Sequence, residues 1–120
     1  MEEKFYTSLV PFWIATRLKD LGYTKNSGYQ YDKDGKLCDP AAPGGAQGVC
    51  EAPTYAETLD FLMSKEVFIE VFSVHHITLG HTWGWQIYSG EDADDYGSDT
   101  LDKPWHEAMN EAIGKALETL

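Results

Sequence analysis

Two neighbouring segments rich in β-branched and aromatic residues constrain the fold of this chain more than any other feature. Residues 67–76 read VFIEVFSVHH, and residues 83–88 read WGWQIY. Successive strand side chains point to opposite faces, so Trp83, Trp85 and Ile87 would share one aromatic face. The first segment carries apolar residues on both faces, which predicts that both are at least partly covered. The connection through Gly80 favours an antiparallel hairpin.

Two helices are predicted before this hairpin. Residues 8–21 carry apolar side chains at the spacing i, i+3, i+4, i+7, and Gly22 is suited to end the helix. The predicted apolar stripe contains Val10, Trp13, Ile14, Leu18 and Leu21, with Arg17 at its edge. The second helix begins after Thr54, because Thr54 and Glu57 have the spacing of a capping box. Its predicted buried face contains Tyr55, Leu59 and Leu62, flanked by Ala56 and Met63, with Phe61 pointing elsewhere.

A closing amphipathic helix is predicted at the C-terminal end. Thr100 or Asp102 is expected to cap it, and Pro104 fits its first turn. The predicted buried face contains Trp105, Ala108, Met109, Ala112, Ile113, Ala116, Leu117 and Leu120.

A second, shorter hairpin is predicted between the first two helices. Residues 29–31 and 36–38 flank an Asp-Gly turn signal, which is typical of hairpins. Residues 39–49 contain two Pro and three Gly and are expected to form a loop.

These elements predict a two-layer α+β fold in the order α-β-β-α-β-β-α. We expect an antiparallel sheet of about four strands packed against three helices. The length of 120 residues is that of one ordinary domain, so residues 1–120 are predicted to form a single α+β domain. Trp83 and Trp85 with Tyr29 and Tyr31 are expected to line one sheet face, covered by Trp13 and Trp105 from the helices.

Acidic residues exceed basic residues by 11, and the excess increases along the chain. Residues 1–40 are neutral, residues 41–82 carry −4 and residues 83–120 carry −7. This charge repels phosphate backbones, which disfavours direct nucleic-acid binding and suits a basic protein partner. A solvated surface that favours solubility is the alternative interpretation. The residues predicted to contact a partner are Glu91, Asp92, Asp94, Asp95, Asp99 and Asp102.

No apolar run approaches the roughly 20 residues that a membrane helix requires. The start Met1-Glu2-Glu3 has no basic, apolar leader. We therefore expect a cytoplasmic chain with no membrane partner. Cys38 and Cys50 are expected to be reduced thiols in that compartment, and their spacing is not a zinc signature.

The histidines near the hairpin connection form the densest chemically suggestive cluster. Imidazoles bind transition metals, and His75 is expected to meet His81 across the hairpin. Adjacent strand residues point to opposite faces, so His75 and His76 are not expected to bind one ion together. The alternative is that these histidines simply end the hairpin, half exposed. The candidate metal or small-ligand site consists of His75, His76, His81, Trp83 and Trp85.

Other motifs give little support for catalysis or a cofactor. Residues 92–97 read DADDYG, which matches the start of a calcium loop, but Tyr96 and Lys103 occupy later ligand positions. A nucleophile elbow and a phosphate-binding glycine loop are both lacking from the sequence. We therefore predict a non-enzymatic protein with no catalytic residues and no cofactor.

Two stretches resemble small proteins of phages and prophages of gut bacteria. The first is residues 50–62, CEAPTYAETLDFL, which also begins a helix in those relatives. The second is the ending from Trp105-His106-Glu107-Ala108 to Ala116-Leu117, and residues 19–23 are similar more loosely. The resemblance implies a phage-type accessory protein of a bacterial host cell. It implies no catalytic residues.

Three functions follow as hypotheses. The main one is an acidic accessory protein that binds a basic protein, in its most concrete form an inhibitor that imitates nucleic-acid charge. The second is a small-ligand or metal-binding domain that uses the histidines of the hairpin. The third is a homo-oligomeric module, a homodimer for example, built on Phe61 or on the strand edges.

Overall fold

The computed structural model describes residues 6–26, 28–41, 48–78, 80–89, 96–97 and 101–120. The helices are α1 (Phe12–Asp20), α2 (Tyr55–Ser64) and α3 (Trp105–Glu118). The strands are β1 (Gln30–Tyr31), β2 (Leu37–Cys38), β3 (Cys50–Glu51), β4 (Val67–His76), β5 (Gly80–Ser89) and β6 (Tyr96–Gly97). The α+β class and the predicted element order are confirmed, and the structure adds the two-residue strands β3 and β6.

The strands of the described chain form two antiparallel sheets, ordered β2-β1-β3 and β4-β5-β6. They are therefore not collected in one sheet of about four strands, because β1 takes β3 as its second neighbour. The chain divides into two compact units, Met1–Thr58 and Leu59–Leu120, with the boundary inside α2. The single domain stays a prediction, and the units are described in turn.

In the first unit, α1 begins four residues later than the sequence predicts. Residues 8–10 are extended instead and pair with residues 53–55. The amide of Val10 donates to the carbonyl of Pro53 (2.9 Å), and the amide of Tyr55 donates to that of Ser8 (3.0 Å). Pro11, with ψ 162°, is the N-cap residue. The extended segment satisfies its backbone groups with a partner more than 40 residues away, which local helical periodicity does not reveal.

The end of α1 follows its prediction. Gly22 has φ +96°, its amide donates to the carbonyl of Lys19 (3.1 Å), and the amide of Tyr23 donates to that of Leu18 (2.9 Å). This is the Schellman arrangement that glycine favours.

The predicted apolar stripe of α1 is only partly correct. Ile14 and Leu18 are fully buried, but Trp13 is 43% exposed. The Arg17 guanidinium lies 5.4 Å from the centre of the Trp13 ring. The Trp13 indole therefore lies at the surface, in a cation–π contact with Arg17.

Both hydrogen bonds of the predicted capping box of α2 are present. The amide of Glu57 donates to Oγ1 of Thr54 (3.1 Å), and the amide of Thr54 donates to Oε1 of Glu57 (2.9 Å). The buried face consists of Tyr55, Thr58 and Leu62, whereas Ala56 and Met63 are exposed. The prediction is therefore correct at Tyr55 and Leu62 and wrong at both flanks, and Leu59 is only half-buried.

The short hairpin also follows its prediction. Asp32 organises the turn, since its Oδ1 accepts from the amides of Asp34 (2.8 Å) and Lys36 (2.9 Å). Gly35 has φ +82°, a conformation that glycine adopts without strain.

In the second unit, β4 and β5 form a ten-residue antiparallel ladder from Val67↔Ser89 to His76↔Gly80. The bounds of β4 match the sequence prediction. The buried residues of α3 are the predicted ones except Leu120, which is 45% exposed. Pro104 is the N-cap residue of α3, so the prediction of Asp102 at that position is wrong; Thr100 lies outside the described residues. No helix in the described ranges has the length and apolar character needed to span a bilayer.

Candidate functional site

The β4–β5 ladder has two faces of different character, fixed by the alternation of side chains. Val67, Ile69 and Val71 share one face with Trp85 and Ile87, their cross-strand neighbours. Trp85 is 7% exposed and Ile87 is fully buried. The indole Nε1 of Trp85 donates to Oε1 of Glu111 on α3 (3.4 Å). This face, called here the covered face, is the core side of the unit.

The opposite face is open at the end where β4 begins and β5 ends. Phe68 and Tyr88 lie directly opposite each other and are 47% and 39% exposed. Glu70 and Gln86 form the next pair, and both are exposed. The Tyr88 hydroxyl lies 2.6 Å from Oε1 of Gln86 and 3.2 Å from Oε2 of Glu70. The surface formed by Phe68, Glu70, Gln86 and Tyr88 is called here the open face.

Farther along this side of the sheet, towards the β4–β5 connection, the residues are less exposed to solvent. Phe72 and Val74 are half-buried, and Gly84 and Thr82 are buried. The Thr82 hydroxyl donates to the carbonyl of Leu101, and the amide of Trp83 donates to that of Lys103 (2.8 Å). Leu101 and Lys103, which lie in the segment before α3, therefore contact this far end of the sheet. The expectation that both faces are at least partly covered is confirmed, with Phe68 left 47% exposed at the open end.

The sequence contained a signal for the open face. Glu70 and Gln86 interrupt the apolar pattern on one side only, and the register places them opposite each other. Two polar residues paired at the middle of a sheet face are typical of a face that contacts water.

The hairpin end brings two of the predicted histidines together. His75 and His81 are cross-strand partners on the covered-face side, both exposed, with ring centres 5.3 Å apart and planes inclined by 61°. His76 lies at a strand position of the opposite face. Trp83 is half-buried on the same face as His75 and His81, and Trp85 is buried in the core.

The other aromatic residues are not arranged as predicted. Tyr31 belongs to the other sheet, with Tyr29 directly before its strand, so these tyrosines do not line a face with Trp83 and Trp85. Trp105 is buried on α3 as expected.

The predicted acidic contact residues fall mostly outside the described residues. This applies to Glu91, Asp92, Asp94, Asp95 and Asp99. Asp102 is described and exposed.

The lysines of the second unit all interact with side chains of the same unit. Lys103 contacts Glu111 (3.0 Å) and Glu107 (3.4 Å), and the hydrogen bond to Glu111 raises the pKa of Lys103. Lys115 pairs with Glu118 (3.7 Å), and Lys65 lies 5.6 Å from the centre of the Phe61 ring. Residues 59–120 contain these three lysines and twelve acidic residues, a net charge of −9.

The two thiols of the first unit lie on opposite faces of its sheet. Cys38 pairs with Gln30, and Cys50 pairs with Tyr31. Both are free, and β1 lies between their strands. Two strand spacings amount to about 9–10 Å, which exceeds the reach of a disulfide of about 7 Å between Cα atoms.

Cys50 has the environment of a structural thiol. It is 6% exposed, and burial raises its pKa against the opposing effect of the Lys19 ammonium. Burial, followed by the proximity of Cys50, also raises the pKa of Tyr31. A raised pKa disfavours the thiolate that a nucleophile needs.

One polar group of this sheet is buried without a partner. Oε1 of Glu51 accepts from Nε2 of Gln30 (3.3 Å), and Oε1 of Gln30 accepts from the amide of Gly48 (2.8 Å). Within the described part of the chain, Oε2 of Glu51 has no hydrogen-bond partner. Such a group carries an uncompensated desolvation penalty.

Among the described residues, no three His, Cys, Asp or Glu side chains lie close enough together to hold one metal ion. No known protein family, curated protein or solved structure matches this chain.

Proposed function

We propose that this chain is a non-enzymatic protein that binds a basic partner protein through its second unit. The observation that carries the proposal is that every lysine of that unit already contacts a side chain of the same unit. Lys65, Lys103 and Lys115 already interact with Phe61, Glu107, Glu111 and Glu118. With these three lysines counted, the unit still carries a net charge of −9, which attracts a partner with exposed Lys or Arg side chains.

The open face supplies the apolar part of the same contact. Aromatic side chains that bury well are the main source of interface energy, whereas charge sets orientation and association rate. Phe68 and Tyr88 present exposed rings beside the carboxylate of Glu70. The partner surface that fits this pattern combines an apolar patch with a Lys or Arg that reaches Glu70.

The biological setting belongs to the same proposal. We propose that the chain is a phage-type accessory protein that acts in a bacterial cytoplasm. Its basic partner would then be a protein that itself binds DNA or RNA. The chain would then occupy the nucleic-acid site and inhibit it. Competition by duplex DNA for the captured partner tests this form of the proposal.

Comparative capture from a bacterial lysate tests the binding proposal. The full chain is immobilised beside Phe68→Ser on the open face and the matched control Leu37→Ser, whose side chain is 49% exposed in the first unit. A third variant reverses the charges of Asp92, Asp94 and Asp95. We expect a basic protein that the wild type and Leu37→Ser retain, that Phe68→Ser loses, and that added salt elutes. Equal capture by Phe68→Ser and the wild type, or retained binding by the charge-reversed variant at low salt, contradicts the proposal.

A second candidate function is self-association through the edge of β4. Among the described strands, β4 pairs on one side only, with β5. It is ten residues long and contains neither Lys nor Pro, the residues that commonly protect exposed edges. Sedimentation distinguishes this candidate, since a dimer doubles the chain mass of 13.5 kDa.

A further inference from the structure

We propose that His75 and His81 form a surface site for one divalent transition-metal ion at the end of the β4–β5 hairpin. This proposal does not depend on the partner-binding function. It begins from the register, which places the two histidines directly opposite each other on one face. Side chains in such a pair have Cβ atoms about 4.5–5.5 Å apart, which keeps both rings within reach of one ion.

The separation of the two rings agrees with the binding of one ion by both imidazoles. A metal bound about 2.0–2.1 Å from one nitrogen of each imidazole would lie about 3.2 Å from each ring centre. At a tetrahedral angle, the two ring centres would then be about 5.2 Å apart. The centres of His75 and His81 are 5.3 Å apart, and the rings are inclined by 61° rather than stacked.

The surroundings determine which ion fits. Both histidines are exposed, so a bound ion would retain water at its remaining positions. Imidazole nitrogen suits Zn²⁺, Ni²⁺ and Cu²⁺ rather than Ca²⁺ or Mg²⁺. The lack of a three-ligand group among the described residues makes this a two-histidine site with open positions, unlike a closed structural zinc site.

The neighbouring histidines provide matched controls. His76 directly follows His75 but occupies a strand position of the opposite face. His106 is exposed on α3, where its ring contacts Trp105 with centres 5.1 Å apart. Substitution of either one removes an imidazole without changing the cross-strand pair.

Titration of the full chain with Zn²⁺ tests the site by calorimetry and by NMR of the imidazole rings. We expect one ion per chain, with joint shifts of the His75 and His81 ring signals. His75→Ala and His81→Ala should each weaken binding at least tenfold, whereas His76→Ala and His106→Ala should leave it unchanged. Circular dichroism confirms that each variant is folded.

Three results would overturn the proposal. They are an absence of Zn²⁺ binding by the wild type, unchanged affinity in both His75→Ala and His81→Ala, and equal weakening by the His76→Ala or His106→Ala control. With Cu²⁺ as a second probe, electron paramagnetic resonance should show two coordinating nitrogens in the wild type and one in either single variant. If the wild type and the variants give the same spectrum, the ion is bound at another site and the proposal is wrong.

Discussion

Phe68 and Tyr88 lie directly opposite each other across the β4–β5 hairpin, and both rings remain more than one third exposed. In the pair that follows on the other face, Ile69 is half-buried and Ile87 is fully buried in the core. One hairpin therefore supplies the core with one face and presents aromatic side chains to solvent with the other. The contribution of each face to stability can therefore be measured by substitutions on that face alone.

The first prediction compares the two faces. Phe68→Ser should lower the free energy of unfolding by no more than about 1 kcal/mol, because about half of the ring is already in contact with water. Ile87→Ala should lower it by about 2–5 kcal/mol, because the substitution leaves a cavity in the core. Urea denaturation of both variants measures the difference. Equal losses would mean that the open face is part of the core.

The long hairpin was predictable because its signal is local. β-branched and aromatic residues dominate Val67–His76, and these are also the bounds of β4. The capping box at Thr54 is local for the same reason. By contrast, the pairing of residues 8–10 with residues 53–55 depends on segments far apart in sequence. The two-residue strand β3 lies next to a Pro- and Gly-containing segment and is too short for a periodic pattern.

The candidate site was predictable only in part, for related reasons. The pairing of His75 with His81 follows from alternation and a hairpin, both of which the sequence indicates. The burial of Thr82 and Gly84 depends instead on the segment before α3, which crosses that end of the sheet. Alternation assigns a residue to a face, but a later chain segment decides how much of the face contacts solvent.

The second prediction concerns the capping box of α2. Thr54→Ala should lower the free energy of unfolding by about 1 kcal/mol, since it removes the acceptor of the Glu57 amide. Glu57→Ala removes the acceptor of the Thr54 amide. Because the two hydrogen bonds are reciprocal, the double variant should lose less than the sum of the two single losses. Thermal unfolding of all four proteins measures this coupling, and strict additivity would contradict it.

The third prediction concerns the close approach of Gly48 to β1. A Cβ at this position would lie 2.5 Å from Cβ of Gln30 and 2.6 Å from the carbonyl oxygen of Tyr31. Gly48→Ala should therefore destabilise the chain by about 1–3 kcal/mol. Gly97→Ala is the matched control, because its Cβ would meet atoms no closer than 3.7 Å. Chemical denaturation should show a loss for Gly48→Ala and little change for Gly97→Ala.

The fourth prediction separates the two thiols. A disulfide reagent such as DTNB should react quickly with the half-buried Cys38 and slowly with Cys50, which is 6% exposed. Cys38→Ser should remove the fast phase, and Cys50→Ser the slow one. Mild oxidation should not join them within one chain, because they lie on opposite faces of the sheet. An intramolecular disulfide found by peptide mapping of folded protein would contradict this arrangement.

The fifth prediction is a loss of stability at alkaline pH. Burial raises the pKa of Cys50 in the folded chain, so the unfolded chain ionises first as the pH rises. The contribution of the neutral thiol to stability is therefore complete below the ordinary thiol pKa of about 8.5 and is lost as the pH rises through the raised value. Cys50→Ala should show a shallower decrease of the unfolding free energy as the pH rises above about 8.5. Parallel pH profiles of wild type and variant would contradict the assignment.

Photo-crosslinking in bacterial cells is the most direct test of partner binding through the second unit. A p-benzoylphenylalanine is placed at Phe68 on the open face and, in a separate protein, at Leu37 in the first unit, where exposure is similar. We predict a discrete adduct with a basic protein from position 68 that is lost when Asp92, Asp94 and Asp95 are reversed in charge. No adduct from position 68, or the same adducts from positions 68 and 37, would contradict the proposal.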